Sequence, residues 1–408
     1  MNKRVVVTGM GVVSPIGNNL TDFWNNLQSG KNGINEISLF DTEKFDVKIA
    51  GESKINLSDF FDKKELNKQD RFSSFAIIAS DQAISQSGLL SYNFSKDRVG
   101  VIIGSGIGGI ETFENQHKKL LKNPRFVSPF FIPSMISDIA AGHVSIKYGF
   151  KGVNYSVVSA CATSNHAFGD AFKMIQSDLA DVIIAGGSEA AITEMSIAGF
   201  SNMKALSKNP DKNSASRPFD KKRDGFVMGE GAGILVLESF DHAQKRNAKI
   251  IGEIVGYGAS ADAYHITSPD PNGDGAKQAI LNAILDAKIN KNDITYINAH
   301  GTSTPYNDRV ESKVIKEIFN NNYKDLFVTS TKSMTGHLLG ATGGIEAIAT
   351  ILSINNDYIP PTINYSNQDS DCDLNYLPNK GFSTKINYAL SNNFGFGGHN
   401  SVLIFKGL

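Results

Sequence analysis

Four residues of this chain have the types and settings to break and make bonds together: Cys161, His300, Lys332 and His337. Cys161 follows the β-branched run Val157-Val158, then Ser159-Ala160, and precedes a helical pattern from Asn165 to Ile175. A cysteine where a strand hands over to a helix lies at the positive end of the helix dipole, which favours thiolate, the nucleophilic form. Its small neighbours Ala160 and Ala162 let a substrate approach. A lone cysteine is more often a buried structural residue, so this stretch alone leaves catalysis and packing both open. His300, Lys332 and His337 also follow apolar runs, and either histidine taken singly reads equally well as a hydrogen-bonded core residue. His166 lies on the Cys161 helix, and at about 100° per residue its position turns it away from the cysteine; it reads as structural. His143 and His265 have no comparable setting.

The elements that would position these residues alternate. Strands are expected at Arg4–Val7, Val99–Ile103, Asp181–Gly187, Gly231–Leu237, Ile250–Tyr257, Ile294–Ala299, Phe327–Ser330 and Ser401–Phe405. Helices are expected at Thr21–Leu27 with Thr21 as N-cap, Ser74–Ser87, Ile136–Tyr148, Asp241–Arg246, Gly275–Ala287 and Gly343–Leu352. Thr8-Gly9-Met10-Gly11 reads as a glycine turn, and residues 29–70 as polar and irregular. The alternation makes the class α/β, with polar, glycine-flanked segments at strand ends, where such folds put their sites. Gly104-Ser105-Gly106-Ile107-Gly108-Gly109 satisfies G-x-G-x-x-G. No acidic residue ends a second strand some 20 positions on, so close backbone packing around a pocket reads better than a dinucleotide site.

A chain of 408 residues exceeds the ~250–300 that one core usually serves. Two units are expected, residues 1–248 carrying the cysteine and residues 249–408 carrying the two histidines. With 40 basic against 41 acidic residues, net charge −1, no global field points to nucleic acid or a membrane. No apolar run is long enough to span a bilayer. Two cysteines, Cys161 and Cys372, argue against a disulfide framework and a zinc site. The first residues enter a strand at once, with no room for a secretory or transit segment. An intracellular setting is expected: the cytoplasm if the host is bacterial, or a plastid stroma after removal of a transit peptide.

Several stretches taken together carry a resemblance: Val5-Val6-Val7-Thr8-Gly9-Met10-Gly11, Ala160-Cys161-Ala162-Thr163-Ser164, Arg217-Pro218-Phe219-Asp220 with Arg223-Asp224-Gly225-Phe226, Asn298-Ala299-His300-Gly301-Thr302-Ser303-Thr304-Pro305, Lys332-Ser333-Met334-Thr335-Gly336-His337, and Phe394-Gly395-Phe396-Gly397-Gly398. In this set and order the chain resembles the β-ketoacyl-acyl-carrier-protein synthases of the elongating type, the condensing enzymes II of type II fatty-acid synthesis. The resemblance implies a thiolase-like fold of two pseudo-duplicated halves in an αβαβα core, a homodimer, acyl carrier protein as partner, and no cofactor or metal. It implies Cys161 as the acyl-accepting nucleophile, with the backbone N–H groups of Cys161 and Phe396 as oxyanion hole. His300 and His337 would act on the enolate of the malonyl donor, and Lys332 would sit in a polar network with Asp308 or Glu346. Thr302 and Thr304 match positions that bind a pantetheine arm. Ile107, Phe130, Phe200 and Phe396 would line the acyl pocket, with Phe396 also a gate; plain core is the other reading for Ile107, Phe130 and Phe200. Lys63, Lys64, Lys68 and Arg71 read either as a solvated face or as part of a dock for an acidic carrier. His399, where many members have threonine, and the pair Tyr306-Asn307 depart from the pattern.

Four other readings compete. A thiolase acting on coenzyme A esters needs a second catalytic cysteine in a glycine setting, and Asp371-Cys372-Asp373 is not one. An initiating synthase pairs one histidine with an asparagine. A non-catalytic chain-length subunit lacks the nucleophile. A dinucleotide-dependent oxidoreductase rests on Gly104 to Gly109 alone.

Overall fold

The computed structural model describes residues 3–407. Its main sheet comprises β1 (Val5–Val13), β2 (Val99–Gly104), β3 (Asn154–Tyr155), β4 (Val182–Glu189), β5 (Gly231–Ser239), β6 (Gly252–Ala261), β7 (Ile294–Asn298), β8 (Phe327–Thr329), β9 (Tyr388–Gly395) and β10 (His399–Lys406). The spatial order is β8-β7-β9-β10-β6-β1-β5-β4-β2-β3. Outward from the centre, β1-β5 and β5-β4 are antiparallel, then β4-β2 and β2-β3 parallel. The other side repeats this: β6-β10 and β10-β9 antiparallel, β9-β7 and β7-β8 parallel. The two halves therefore share one topology. They meet where Val5–Val7 of β1 pair antiparallel with Gly252–Ile254 of β6.

Helices α1 (Arg71–Ser87), α2 (Ile139–Tyr148), α3 (Thr163–Gln176), α4 (Asp274–Ala287), α5 (Pro305–Phe319) and α6 (Thr342–Asn355) complete the layers. Phe168 and Phe172 of α3 and Ile345, Ile348 and Ile351 of α6 pack between the two sheet halves, against Leu235 and Leu237 on one side and Leu403 and Phe405 on the other. Thr342–Ile351 of α6 are buried all round, the property of a helix with core on every side. Each such isoleucine contributes about 1.5–3 kcal/mol of burial. α1 covers the outer face of the N-terminal sheet through Phe75, Ile78 and Ala79. α4 and α5 cover the other outer face through Ile280, Ala283, Val314 and Ile315. The result is the αβαβα layering expected of a thiolase-like fold.

Three local expectations change. Thr8–Gly11 is no turn; β1 continues through it to Val13, with a bulge in its pairing to β5 between Val7 and Gly9. The glycines are there because α1 crosses so closely that a Cβ on Gly9 or Gly11 would stand 2.0 or 1.9 Å from the carbonyl oxygen of Ala83 or Ala79. The first helix spans Leu20–Gln28 and is capped by Asn19, whose side chain accepts from the Asp22 N–H, not by Thr21. Val157 and Val158 are not in a strand, and Val158 is exposed.

Candidate active site

Cys161 is held in one tight turn, Ala160–Ala162, that leads into α3. Ala160 has φ 49°, a conformation few non-glycine residues adopt, and the turn is pinned by the Ser159 N–H donating to Thr163 Oγ1 at 2.9 Å. Across the sheet junction, the segment after β7 delivers His300. The N–H groups of His300 and Gly301 both donate to the Glu311 carboxylate of α5 at 2.8 Å, and Asn392 Nδ2 donates to it at 3.1 Å. The segment after β8 delivers Lys332 and His337.

The Cys161 sulfur and one ring nitrogen each of His300 and His337 all lie within 4.8 Å of one another. His337 Nε2 is 3.1 Å from Cys161 Sγ. Its other nitrogen, Nδ1, accepts the Leu339 N–H at 3.3 Å and lies 2.8 Å from Thr342 Oγ1. A backbone N–H can only donate, so Nδ1 is the acceptor and the proton sits on Nε2, aimed at the sulfur. Burial, and then the charge of Lys332, hold both imidazoles well below their usual pKa, so each is neutral near pH 7. Burial pushes the Cys161 thiol up to about 12, although Lys332 and the N–H groups of Phe396 and Cys161 pull the other way. The helix end that favours thiolate is thus opposed by the lost hydration of a buried sulfur, the larger cause of the two directions.

Lys332 Nζ donates to Glu346 Oε1 at 2.5 Å, and Asn393 Nδ2 donates to Oε2 at 2.8 Å. Burial raises Glu346 to about 7. Asp308 belongs to a different cluster. Its Oδ2 accepts the Phe219 N–H at 2.8 Å and lies 3.6 Å from Arg223 Nε, because its position on α5 turns it toward the Arg217–Phe226 segment. Arg223 in turn donates to the carbonyls of Thr304 and Pro305 at 3.2 and 3.1 Å. That fixes the loop of Thr302 and Thr304, whose hydroxyls are 2.8 Å apart.

A cavity of about 340 Å³ opens onto Cys161, His300 and His337. Ile107, Phe200 and Phe396 line it, as do Thr302, Thr304 and the rim residue Tyr306. The Phe200 and Phe396 rings are 6.4 Å apart. Phe130 is not among the lining residues. It borders a separate hollow with Arg71 and Phe131, under Lys68 Nζ at 5.1 Å, because its loop leads away from the cysteine. Arg71, only partly exposed, is already paired within the chain. Its guanidinium grips the fully buried Glu230 at 2.9 and 2.6 Å, since its position opens α1 against the sheet. Lys63, Lys64 and Lys68 are exposed.

In the Gly104–Gly109 segment the N–H groups of Gly106, Ile107, Gly108 and Gly109 are all taken by partners within the chain. Glu189, fully buried, takes the N–H groups of Gly106, Ile107 and Gly340 and the Ser105 hydroxyl. His166 faces the Ser159 hydroxyl at 2.7 Å, and Cys372 is buried outside the cavity. Glu189, Glu311 and Thr342 were not singled out from sequence. Glu311 left a signal: it shares a helical face with Val314, Ile315 and Ile318, and an acid on an apolar face needs buried donors.

Comparisons agree with this geometry. Residues 2–243 match the family described as β-ketoacyl synthase, N-terminal domain, and residues 251–366 its C-terminal domain. A 3-oxoacyl-[acyl-carrier-protein] synthase 2 of Staphylococcus aureus is 54% identical over 407 residues, 99% of this chain and 98% of its own length. One from Synechocystis is 51% identical over the same shares. Among solved structures, a ketosynthase bound to a hexaketide in complex with its type II polyketide acyl-carrier protein superposes with TM-score 0.94 at 35% identity, covering all of both chains. A β-ketoacyl synthase from Burkholderia phymatum gives 0.92 at 33%, also over both full lengths. The chain belongs to the β-ketoacyl synthase family.

Proposed function

We propose that the chain is a 3-oxoacyl-[acyl-carrier-protein] synthase that elongates acyl chains by decarboxylative Claisen condensation. The observation that carries this reading is the convergence, on one buried sulfur, of two neutral imidazoles and the N–H groups of Cys161 and Phe396. Cys161 attacks the thioester of an acylated carrier protein. The new C–S bond forms, the carrier's C–S bond breaks, and the thiol proton ends on the departing carrier thiol. The N–H groups of Cys161 and Phe396 hold the oxyanion. In the second half-reaction the bond between the malonyl C2 and its carboxylate breaks and CO₂ leaves. His300 and His337 donate to the enolate oxygen; neutral imidazoles suit this because each has one N–H to give. The enolate carbon attacks the Cys161 thioester, the C–S bond to Cys161 breaks, and the departing thiolate takes a proton from solvent. Lys332 and Glu346 form a closed hydrogen-bonded pair, its carboxyl raised to about 7 by burial, that sets the local field without passing a proton to the substrate.

Acyl carrier protein is the proposed donor and acceptor, with Lys63, Lys64 and Lys68 as part of its dock. A homodimer is proposed from the open edge of β3, which has one neighbour in the sheet, and from the exposed apolar side chain of Val158, three residues beyond that strand. Intact-protein mass after mixing with acyl carrier protein tests the central claim. One acyl adduct on Cys161 is expected, lost as malonyl carrier protein is added and 3-oxoacyl product forms. Cys161→Ala stays folded and takes no adduct; an adduct on that variant sinks the assignment.

A further inference from the structure

We propose that Cys161, His300 and His337 form a binding site for a thiolate-preferring divalent cation of the zinc class, and that its occupation locks the resting enzyme. Three features lead there. The donor set is one cysteine and two histidines, the combination that selects zinc over the hard cations. The donor atoms already stand within 4.8 Å of one another, with Sγ and His337 Nε2 at 3.1 Å. A tetrahedral site with bonds of about 2.3 Å to sulfur and 2.0–2.1 Å to nitrogen asks for S···N near ~3.5 Å and N···N near ~3.3 Å. The adjustment needed is therefore side-chain motion of a fraction of an ångström to about one ångström. All three residues are buried, and the cavity leaves a fourth position for water.

The surroundings permit it. Coordination needs the His337 Nε2 lone pair, so the ring proton must move to Nδ1. Thr342 Oγ1, 2.8 Å away, accepts it there and supplies the outer hydrogen bond that metal-bound histidines use, and the cost of the change is the long 3.3 Å bond from the Leu339 N–H to Nδ1. His300 Nδ1 is enclosed with no hydrogen-bond partner among the described residues, so nothing commits that ring's proton to one nitrogen. The charge of Lys332 acts against a cation here, and its contact with Glu346 at 2.5 Å offsets it once that carboxyl ionises. Binding takes one proton from the thiol to solvent and adds no other reactant. The metal and the acyl group then compete for one sulfur.

The site is tested with Co²⁺, whose bond to thiolate gives a near-ultraviolet charge-transfer band and whose tetrahedral form gives intense visible bands. Metal-free enzyme is titrated with Co²⁺ and then with Zn²⁺. One equivalent of Co²⁺ should develop both bands, and Zn²⁺ should abolish them. Cys161→Ser, or wild-type enzyme alkylated at Cys161 should the variant misfold, should give no charge-transfer band. His300→Ala and Thr342→Val should each weaken binding by at least about tenfold. Absence of the band in the wild type, or its persistence after Cys161 is blocked, overturns the proposal. The spectrum does not depend on turnover, so its failure is distinct from a failure of acyl transfer.

Discussion

Replacing Glu311 with glutamine separates the two half-reactions. The Glu311 side chain is enclosed, and its oxygens accept three donors: the N–H groups of His300 and Gly301 at 2.8 Å and Asn392 Nδ2 at 3.1 Å. Burial raises its pKa, but two of the three donors are backbone N–H groups that cannot accept, so a protonated oxygen would face a donor. The geometry therefore calls for a carboxylate. Glutamine keeps the shape and puts an NH₂ group against at least one N–H. One charge-assisted hydrogen bond is lost, worth about 1.5–3 kcal/mol, and a donor is left unpaired. The expected loss of folding stability is about 2–3 kcal/mol by urea titration. Because the freed segment is the one that carries His300, decarboxylation of malonyl carrier protein should fall by about 10²-fold. Acylation of Cys161 should change little, since its turn and the Phe396 N–H lie on other elements. Stopped-flow acylation and CO₂ release measure the two steps separately. A variant with wild-type stability and wild-type CO₂ release would refute the ionised, load-sharing Glu311. Equal losses in both steps would refute its link to His300.

The remaining expectations are more direct. His300→Ala and His337→Ala should both accept an acyl group yet release CO₂ from malonyl carrier protein at least ~10²-fold more slowly, read by mass and CO₂ trapping. Lys63, Lys64 and Lys68 changed to Glu should weaken carrier binding in low salt, with the difference fading as the Debye length falls below ~8 Å. Arg71→Glu should instead destabilise the fold by about 3–5 kcal/mol, because it leaves Glu230 buried without its partner; a folded Arg71→Glu with weak carrier binding would reverse that assignment. Glu346, raised from the usual 4.5 to about 7, holds a proton in the folded chain that the unfolded chain has already lost. Its contribution is present below pH 4.5 and is lost as pH rises to about 7. The slope of stability against pH across that window should flatten in Glu346→Gln.

What the sequence revealed and what it hid divide along a physical line. Alternating apolar runs place the strands and helices because burial imposes their periods locally. His300 and Lys332 could be placed because each follows such a run; Cys161 was placed by the small residues and the helical pattern around it, since Val157 and Val158 form no strand. Long-range contacts were not legible in the same way. Gly9 and Gly11 look like a turn until α1 is seen crossing them, and Arg71 looks like a surface charge until Glu230, far along the chain, is found under it. Asp308 and Glu346 are indistinguishable as partners of Lys332 by type; only the direction in which α5 and α6 present them decides for Glu346.

Cys161 carries the same lesson into chemistry. Its place before α3 suggests a thiolate, because a helix end is visible in a sequence. The enclosure that pushes the thiol up to about 12 is visible only in the fold. A resting neutral thiol beside a neutral imidazole that donates is a poor general-acid–base pair but a good trap for charge that appears later. The donors around Cys161 are therefore best matched to the oxyanion and enolate of the two half-reactions, where the negative charge arises on the substrate, and not to a sulfur charged in advance.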